Sequence, residues 1–181
     1  MRLGTHEIAP ALMLAPMAGI TDLPFRTICR EFGAAYAVAE MTASRADLRA
    51  KAKSLTRWVE QEEAGLRVVQ LLGADPIVMA DAAKAAADAG ADVVDINMGC
   101  PAKKVLSTAC GSALLRDEPL VARILEAVCG AVEIPVTLKI RTGWSEAEKN
   151  ALRIAALAES SGIAMLVIHG RTREQGFRGE A

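Results

Sequence analysis

The chain has 181 residues, of which 52% are hydrophobic and 24% charged, with a net charge of −1. A disordered chain would hold less apolar material and more net charge. Only 3% of the residues are aromatic, which favours helices on a sheet over an aromatic-rich β-sandwich. The near-neutral balance excludes a nucleic-acid binder that works by bulk basic charge, leaving local patches or another domain for that role.

Met1–Pro10 carries His6 and Glu7 and lacks the apolar centre of a signal peptide. Ala11–Ala15 is the first short apolar run and predicts a strand. Asp22 and Pro24 open a helix that Gly33 closes. Tyr36–Ala39 predicts a second strand, and Arg45–Trp58 a helix with vague ends. Arg67–Leu71 predicts a third strand. Asp75-Pro76 supplies an N-cap and a proline at the first helical position, so a helix is expected over Ile77–Ala89, stopped by Gly90. Val93–Asn97 is the fourth strand. Asp117 caps a helix from Glu118 to about Cys129. Val136–Ile140 is the fifth strand. Ser145-Glu146-Ala147-Glu148 has the spacing of a capping box and predicts a helix that reaches Ser161, before Gly162. Met165–His169 is the sixth strand.

Each strand is short and nearly continuous in apolar residues, as in a parallel sheet covered on both faces. Strand and helix alternate with a period of about 31 residues, which is a βα series with right-handed crossovers. Two α/β architectures fit, a doubly wound sheet and a (β/α)8 TIM barrel. A dinucleotide-binding sheet places G-x-G-x-x-G after its first strand, and Pro16-Met17-Ala18-Gly19 stands there instead. Pro16, Glu40, Gln70, Asn97, Lys139, Arg141 and His169 gather at the carboxyl ends of the strands, where a barrel keeps its active site. The barrel is the expected fold. Eight such units need roughly 250 residues, so residues 1–181 are expected to form an incomplete barrel lacking strands 7 and 8.

No apolar run approaches the ~18 residues of a membrane span. Cys29, Cys100, Cys110 and Cys129 form no C-x-x-C pair. The expectation is a cytoplasmic protein with reduced thiols, no membrane partner and no metal site.

Three segments carry the chemistry. In Asp95-Ile96-Asn97-Met98-Gly99-Cys100-Pro101 the strand delivers Asn97 to the rim, and Gly99 and Pro101 hold Cys100 on a loop at the mouth. A buried small apolar role for Cys100 is an equal alternative. In Leu138-Lys139-Ile140-Arg141-Thr142-Gly143-Trp144 alternation places Lys139 and Arg141 on one face. A lysine there needs an anion or a polar ligand, or else a salt bridge to Asp95 or Glu40. In His169-Gly170-Arg171-Thr172-Arg173 the histidine ends a strand and suits donation or proton transfer. Arg171, Arg173 and Arg178 form one basic cluster and Lys103-Lys104 another, which together suit a polyanionic substrate. Gln70 offers its amide to a heterocycle or to a loop backbone.

Taken together, Ala15-Pro16-Met17-Ala18-Gly19-Ile20-Thr21-Asp22, Asn97-Met98-Gly99-Cys100-Pro101-Ala102-Lys103-Lys104-Val105, the Leu138–Trp144 segment and His169–Arg173 resemble the bacterial tRNA-dihydrouridine synthases of the B type. The resemblance runs from about Ile8 to Ala181, with the motifs in the family's order. It implies an FMN-dependent TIM barrel followed by a helical tRNA-binding domain, a monomer at full length. The implied reaction reduces particular tRNA uridines to 5,6-dihydrouridine with NADPH as electron source. Carried over by position, Pro16, Met17 and Ala18 match flavin contacts. Gln70 and Lys139 match the residues at the flavin's pyrimidine edge, and His169 matches a further flavin-side residue. Cys100 matches the proton donor, and Asn97 and Arg141 match residues that hold the target uracil. An ordinary thiol, with its pKa near ~8.5, is mostly protonated at pH 7 and suits an acid's role.

The sequence departs from the family's pattern in two places. Leu106-Ser107-Thr108-Ala109-Cys110-Gly111-Ser112-Ala113 lacks basic residues that the family commonly carries there. The Asn-Gly-Asp and Gly-Arg phosphate-binding segments and the helical domain are absent from the chain, so weak FMN retention and doubtful activity of this chain alone are expected. A dihydroorotate-dehydrogenase-like flavoenzyme and a non-catalytic barrel fragment are the alternative readings.

Overall fold

A computed structural model describes residues 1–49 and 57–181. Six βα-type strand positions follow one another in chain order. After a two-stranded N-terminal hairpin, β1 (Arg2–Leu3) with β2 (His6–Glu7), come β3 (Met13–Leu14), α1 (Leu23–Glu31), β4 (Tyr36–Ala37), β5 (Thr42–Ala43) and α2 (Ala46–Arg49). Then follow β6 (Val68–Leu72), α3 (Pro76–Asp88), β7 (Val93–Met98), α4 (Lys103–Leu106) and a 3-10 turn over Gly111–Arg116. The last elements are α5 (Glu118–Cys129), β8 (Val136–Arg141), α6 (Ala151–Ser160) and β9 (Met165–His169).

The strands β5-β6-β7-β8-β9 form a parallel sheet, and β3 and β4 form a parallel pair. A parallel bridge from Val38 to Val68 links that pair to β6. Neighbours in space are therefore neighbours in sequence. A doubly wound sheet reverses its strand order at a switch point, and no reversal occurs among the described strands.

The helices begin where the sequence places their caps. Asp22 accepts from the Phe25 N–H, Asp75 from those of Ile77 and Val78, and Asp117 from that of Leu120. Each cap is followed by a proline at the first or second helical position, whose missing N–H is no loss there. Gly33 and Gly90 end α1 and α3 at φ of +98° and +95°, a conformation that side chains other than glycine's resist.

Three expectations need correction. The first strand is shorter than its apolar run suggests, running only over Met13–Leu14, while the second pairs with it through Ala37 and then shifts to β6, with Val38 bridging Val68 and Ala39 N–H donating to Val68 O. The Arg45–Trp58 helix is seen only as Ala46–Arg49; residues 50–56 lie outside the described residues. Finally, Ser145–Glu148 does not start a helix. The Ser145 hydroxyl bonds the Glu148 carboxylate at 3.2 Å, but inside a turn where Trp144 N–H donates to Glu148 O and Gly143 bridges Lys149. The helix begins at Ala151. Its flanking Asn150 sends its side-chain amide to Leu115 O and Glu118 Oε1 instead of capping.

Alternation divides the sheet into two faces. Val69, Leu71, Val94, Ile96, Met98, Val136, Leu138 and Ile140 face the helices, against Met79 and Ala82 of α3 and Val121, Ile124 and Leu125 of α5. The opposite face is apolar only at its amino end. There Val68 and Val93 pack with Tyr36 and Val38 under Leu3 and Ile8 of the N-terminal hairpin. Toward the carboxyl ends this inner face turns polar. No helix among the described residues is long and apolar enough to cross a membrane.

Candidate active site

The polar part of the inner face is built in rungs across the parallel strands. Gln70 stands beside Asp95, and Asp95 beside Thr137. One rung nearer the carboxyl ends, Asn97 stands beside Lys139; next, Arg141 stands beside His169. The structure thus brings Gln70, Asn97, Lys139, Arg141 and His169 onto one face, at one end.

Cys100 is half-buried on the loop leaving β7. Two anchors hold it. Asn97 Oδ1 accepts the N–H groups of Gly99 (3.1 Å) and Cys100 (3.0 Å). From the other side the Cys100 carbonyl accepts both the N–H (3.1 Å) and the hydroxyl (3.0 Å) of Ser112. Gly111, at φ +63°, permits this approach, since a Cβ there would stand 2.8 Å from the Cys100 oxygen.

Asn97 Nδ2 donates to Gln70 Oε1 at 2.8 Å, and Gln70 Nε2 donates to Asp95 Oδ2 at 2.7 Å. The Thr137 hydroxyl donates to Asp95 Oδ1 at 2.5 Å and shares a hydrogen bond with the Tyr36 hydroxyl. Burial pushes the Asp95 carboxyl above the usual carboxylate range, against these bonds and the charge of Lys139. Both amides expected to meet ligands are therefore already engaged with protein.

Lys139 makes no hydrogen bond or ion pair among the described residues. Burial lowers its ammonium pKa, with Asp95 opposing and Arg141 assisting. The salt-bridge alternative is corrected for Glu40, which pairs with Arg57 at 3.1 Å and accepts the Gly19 N–H at 2.6 Å. Asp95 comes no nearer than a through-space influence.

Arg141 is 3% exposed and has no carboxylate partner among the described residues. Its Nε donates to Gly99 O (2.9 Å), and its Nη1 to Thr172 O (3.0 Å) and Gly176 O (2.9 Å). The guanidinium therefore clamps the Cys100 loop to the segment after β9, and among the described residues Nη2 alone keeps no partner. Burial lowers its pKa, partly offset by Cys100. His169 Nδ1 accepts the Arg171 N–H at 3.2 Å, which leaves the proton on Nε2. Burial, then the charges of Arg141, Lys139 and Arg171, lower its pKa and keep the ring neutral.

The loop Pro16–Ala18 lies at the same end, after β3. Thr21 N–H and hydroxyl both turn back onto the Met17 carbonyl, leaving Met17 and Ile20 36% and 50% exposed. No hydrogen bond joins this loop to Cys100 among the described residues. The basic cluster is partly spent: Arg171 donates to Gly179 O, and Arg173 stacks 4.5 Å from the Trp144 ring centre, as Arg116 does at 5.1 Å. Sequence reasoning missed Ser112, Thr172 and Gly176, which serve through backbone groups or a hydroxyl and lie far from their partners in the chain. It named Asp95 only as a salt-bridge partner, although its alternation with Asn97 marks it as inward-facing.

A parallel βα series in chain order, apolar beneath and polar at its strands' carboxyl ends, defines the scaffold class: α/β, with its working face at that end. Residues 13–181 match the family model described as dihydrouridine synthase (Dus). The chain belongs to the dihydrouridine synthase family, whose fold is the TIM barrel. It is 55% identical over its whole length to the tRNA-dihydrouridine synthase B of Proteus vulgaris, covering 56% of that protein. It is 53% identical to that of Pseudomonas putida and 52% to that of Salmonella typhimurium, again over its whole length, covering 54% and 56% of them. The chain thus spans about half the length of the curated relatives it matches.

Proposed function

We propose that the protein carrying this chain reduces uridine in tRNA to 5,6-dihydrouridine, with FMN on the inner face, NADPH as electron source and Cys100 as proton donor. In this reading the six strand positions are six of the barrel's eight βα units. The observation that carries it is the pairing of a doubly anchored, half-exposed thiol with Lys139 and Arg141, two cations without a carboxylate partner among the described residues.

The donor set fits a flavin. An ammonium with no partner among the described residues, beside the Asn97 rung, suits the electron-rich pyrimidine edge of the ring, and the exposed apolar surface of Met17 and Ala18 suits its flat face. Bound FMN would supply the hydride. Lys139 then holds negative charge at the ring's edge, while His169 stays neutral and offers Nε2–H. Arg141 Nη2 orients the uracil. Cys100 Sγ gives its proton to uracil C5, completing saturation of the C5–C6 bond, and recovers a proton from solvent. The base must leave the tRNA stack to reach this face. Gln70 and Asn97 contribute mainly by holding the loop, since their amides face one another.

The test expresses the gene encoding this sequence in a strain stripped of dihydrouridine synthases and weighs its tRNA nucleosides. A uridine gaining two hydrogens is the expected result. Cys100→Ala is expected to lower the rate by about 10²–10⁴-fold, the span of general acid catalysis. TRNA left unchanged by the wild-type gene overturns the reading.

A further inference from the structure

We propose that Asp95 is a positioning residue for Cys100, acting through the side chains of Gln70 and Asn97. The inference rests on the proposed role of Cys100 only in giving the positioned loop a reaction to serve.

The argument is one of hydrogen-bond polarity. At the loop end of the relay stand two backbone N–H groups, of Gly99 and Cys100, which can only donate. They fix Asn97 with its oxygen toward the loop and its Nδ2 toward Gln70. Asn97 Nδ2 in turn fixes Gln70 with its oxygen toward Asn97 and its Nε2 toward Asp95. The relay therefore ends in a donor that needs an acceptor. Asp95 Oδ2 is that acceptor, in a place where Gln70 is 1% and Asp95 2% exposed and water offers no substitute.

Remove the acceptor and Gln70 Nε2 is left buried without a partner, so the Gln70 side chain gains by swinging away toward another acceptor. Asn97 Nδ2 would then lose Gln70 Oε1, and the Asn97 side chain would be held from the loop side alone. The loop's inner anchor would loosen. A buried unsatisfied donor is costlier than an ordinary hydrogen bond is favourable, so the whole relay depends on its last member. Thr137 holds Asp95 from behind, with the Tyr36 hydroxyl behind Thr137, and the Thr137 contact survives protonation of the carboxyl. A protonated carboxyl donates to the Thr137 oxygen and still accepts from Gln70 with its other oxygen. Asparagine satisfies the same geometry; leucine, of similar volume, does not.

The experiment measures alkylation of Cys100 by iodoacetamide on the full chain at fixed pH. Peptide mass spectrometry resolves it from Cys29, Cys110 and Cys129, and melting is recorded for each variant. Asp95→Leu is expected to speed alkylation of Cys100 about fivefold to tenfold, the weight of one or two lost loop hydrogen bonds, with Cys29 unchanged. Asp95→Asn is expected to restore the wild-type rate within about twofold. Should Asp95→Leu give no cooperative melt, Gln70→Met cuts the relay one link later and is read the same way. Wild-type alkylation in the cut relay, or Asp95→Asn moving with Asp95→Leu, overturns the proposal. Alkylation needs neither flavin nor tRNA, so failure of the relay and failure of the uridine-reductase reading are recorded separately.

Discussion

His169 shows how a single ring reports on the charges around it. Burial and the cations Arg141, Lys139 and Arg171 all disfavour its protonated form, so its folded pKa lies below the ordinary value. The unfolded chain takes up a proton first as pH falls. The contribution is therefore whole above an unfolded pKa of ~6.5 and is lost below it. Urea midpoints measured from pH 7.5 to 5.5 are expected to fall more steeply for the wild type than for His169→Asn. Equal slopes would mean that the ring is solvated and feels none of the three cations. The inward placement of His169 was legible from its position at a strand's end, as was that of Lys139 and Arg141 from alternation. What stayed hidden was the spending of the side chains. Gln70 and Asn97 read as ligand amides because nothing in a sequence says that they face each other across two strands. Arg141 reads as a residue that holds the target uracil, yet its Nε and Nη1 go to carbonyls 31 to 42 residues away.

At the scale of elements, α1, α3 and α5 were legible to within two residues because each starts with an aspartate closely followed by proline. The two residues do separate jobs: one accepts orphan N–H groups and the other sets φ. The helix over Ala151–Ser160 was misplaced at its start for a matching reason. A serine three residues ahead of a glutamate satisfies the capping pattern, but the loop's own backbone bonds between Trp144 and Glu148 hold that stretch in a turn. The earliest strand was overread because continuous apolar sequence does not show where pairing stops. The cap of α3 gives a direct test. Asp75 Oδ1 accepts from Ile77 N–H at 2.9 Å and Val78 N–H at 3.0 Å, on an exposed end with little packing to blur the reading. Asp75→Ala is expected to lower unfolding stability by about 1 kcal/mol, with Asp75→Asn losing much less. Equal losses for the two would point to charge at the helix terminus, not the hydrogen bonds, as the source.

Across the whole molecule, the parallel sheet joins successive βα units through backbone pairing, and a second side-chain cluster, besides the inner-face relay, joins units distant in sequence. Arg26 and Arg30 of α1 reach Glu63, just ahead of β6, at 2.6 and 3.0 Å. Arg26 also donates to Thr21 O at 2.7 Å, and Arg30 to Leu66 O at 2.8 Å. The triad therefore fixes the helix of the first unit, the loop before it and the entry to the third strand. Arg26 is 1% exposed and the Glu63 side chain 3%. A buried pair of this kind gains little over an apolar replacement, but removing one partner strands the other charge away from water. Glu63→Ala leaves two such cations, and a loss of about 3–5 kcal/mol in unfolding free energy is expected from denaturant titration. The surface pair Arg45–Asp47, with side chains 66% and 61% exposed, supplies the contrast. Its loss in Asp47→Ala is expected to leave the denaturation midpoint essentially unmoved. The loss in Glu63→Ala is expected to persist at ~1 M salt, where the screening length shrinks to about 3 Å in solvent but not in the interior. A Glu63→Ala loss below about 1 kcal/mol, or one erased by salt, would show that water reaches the triad and that the sheet alone holds the first unit to the third.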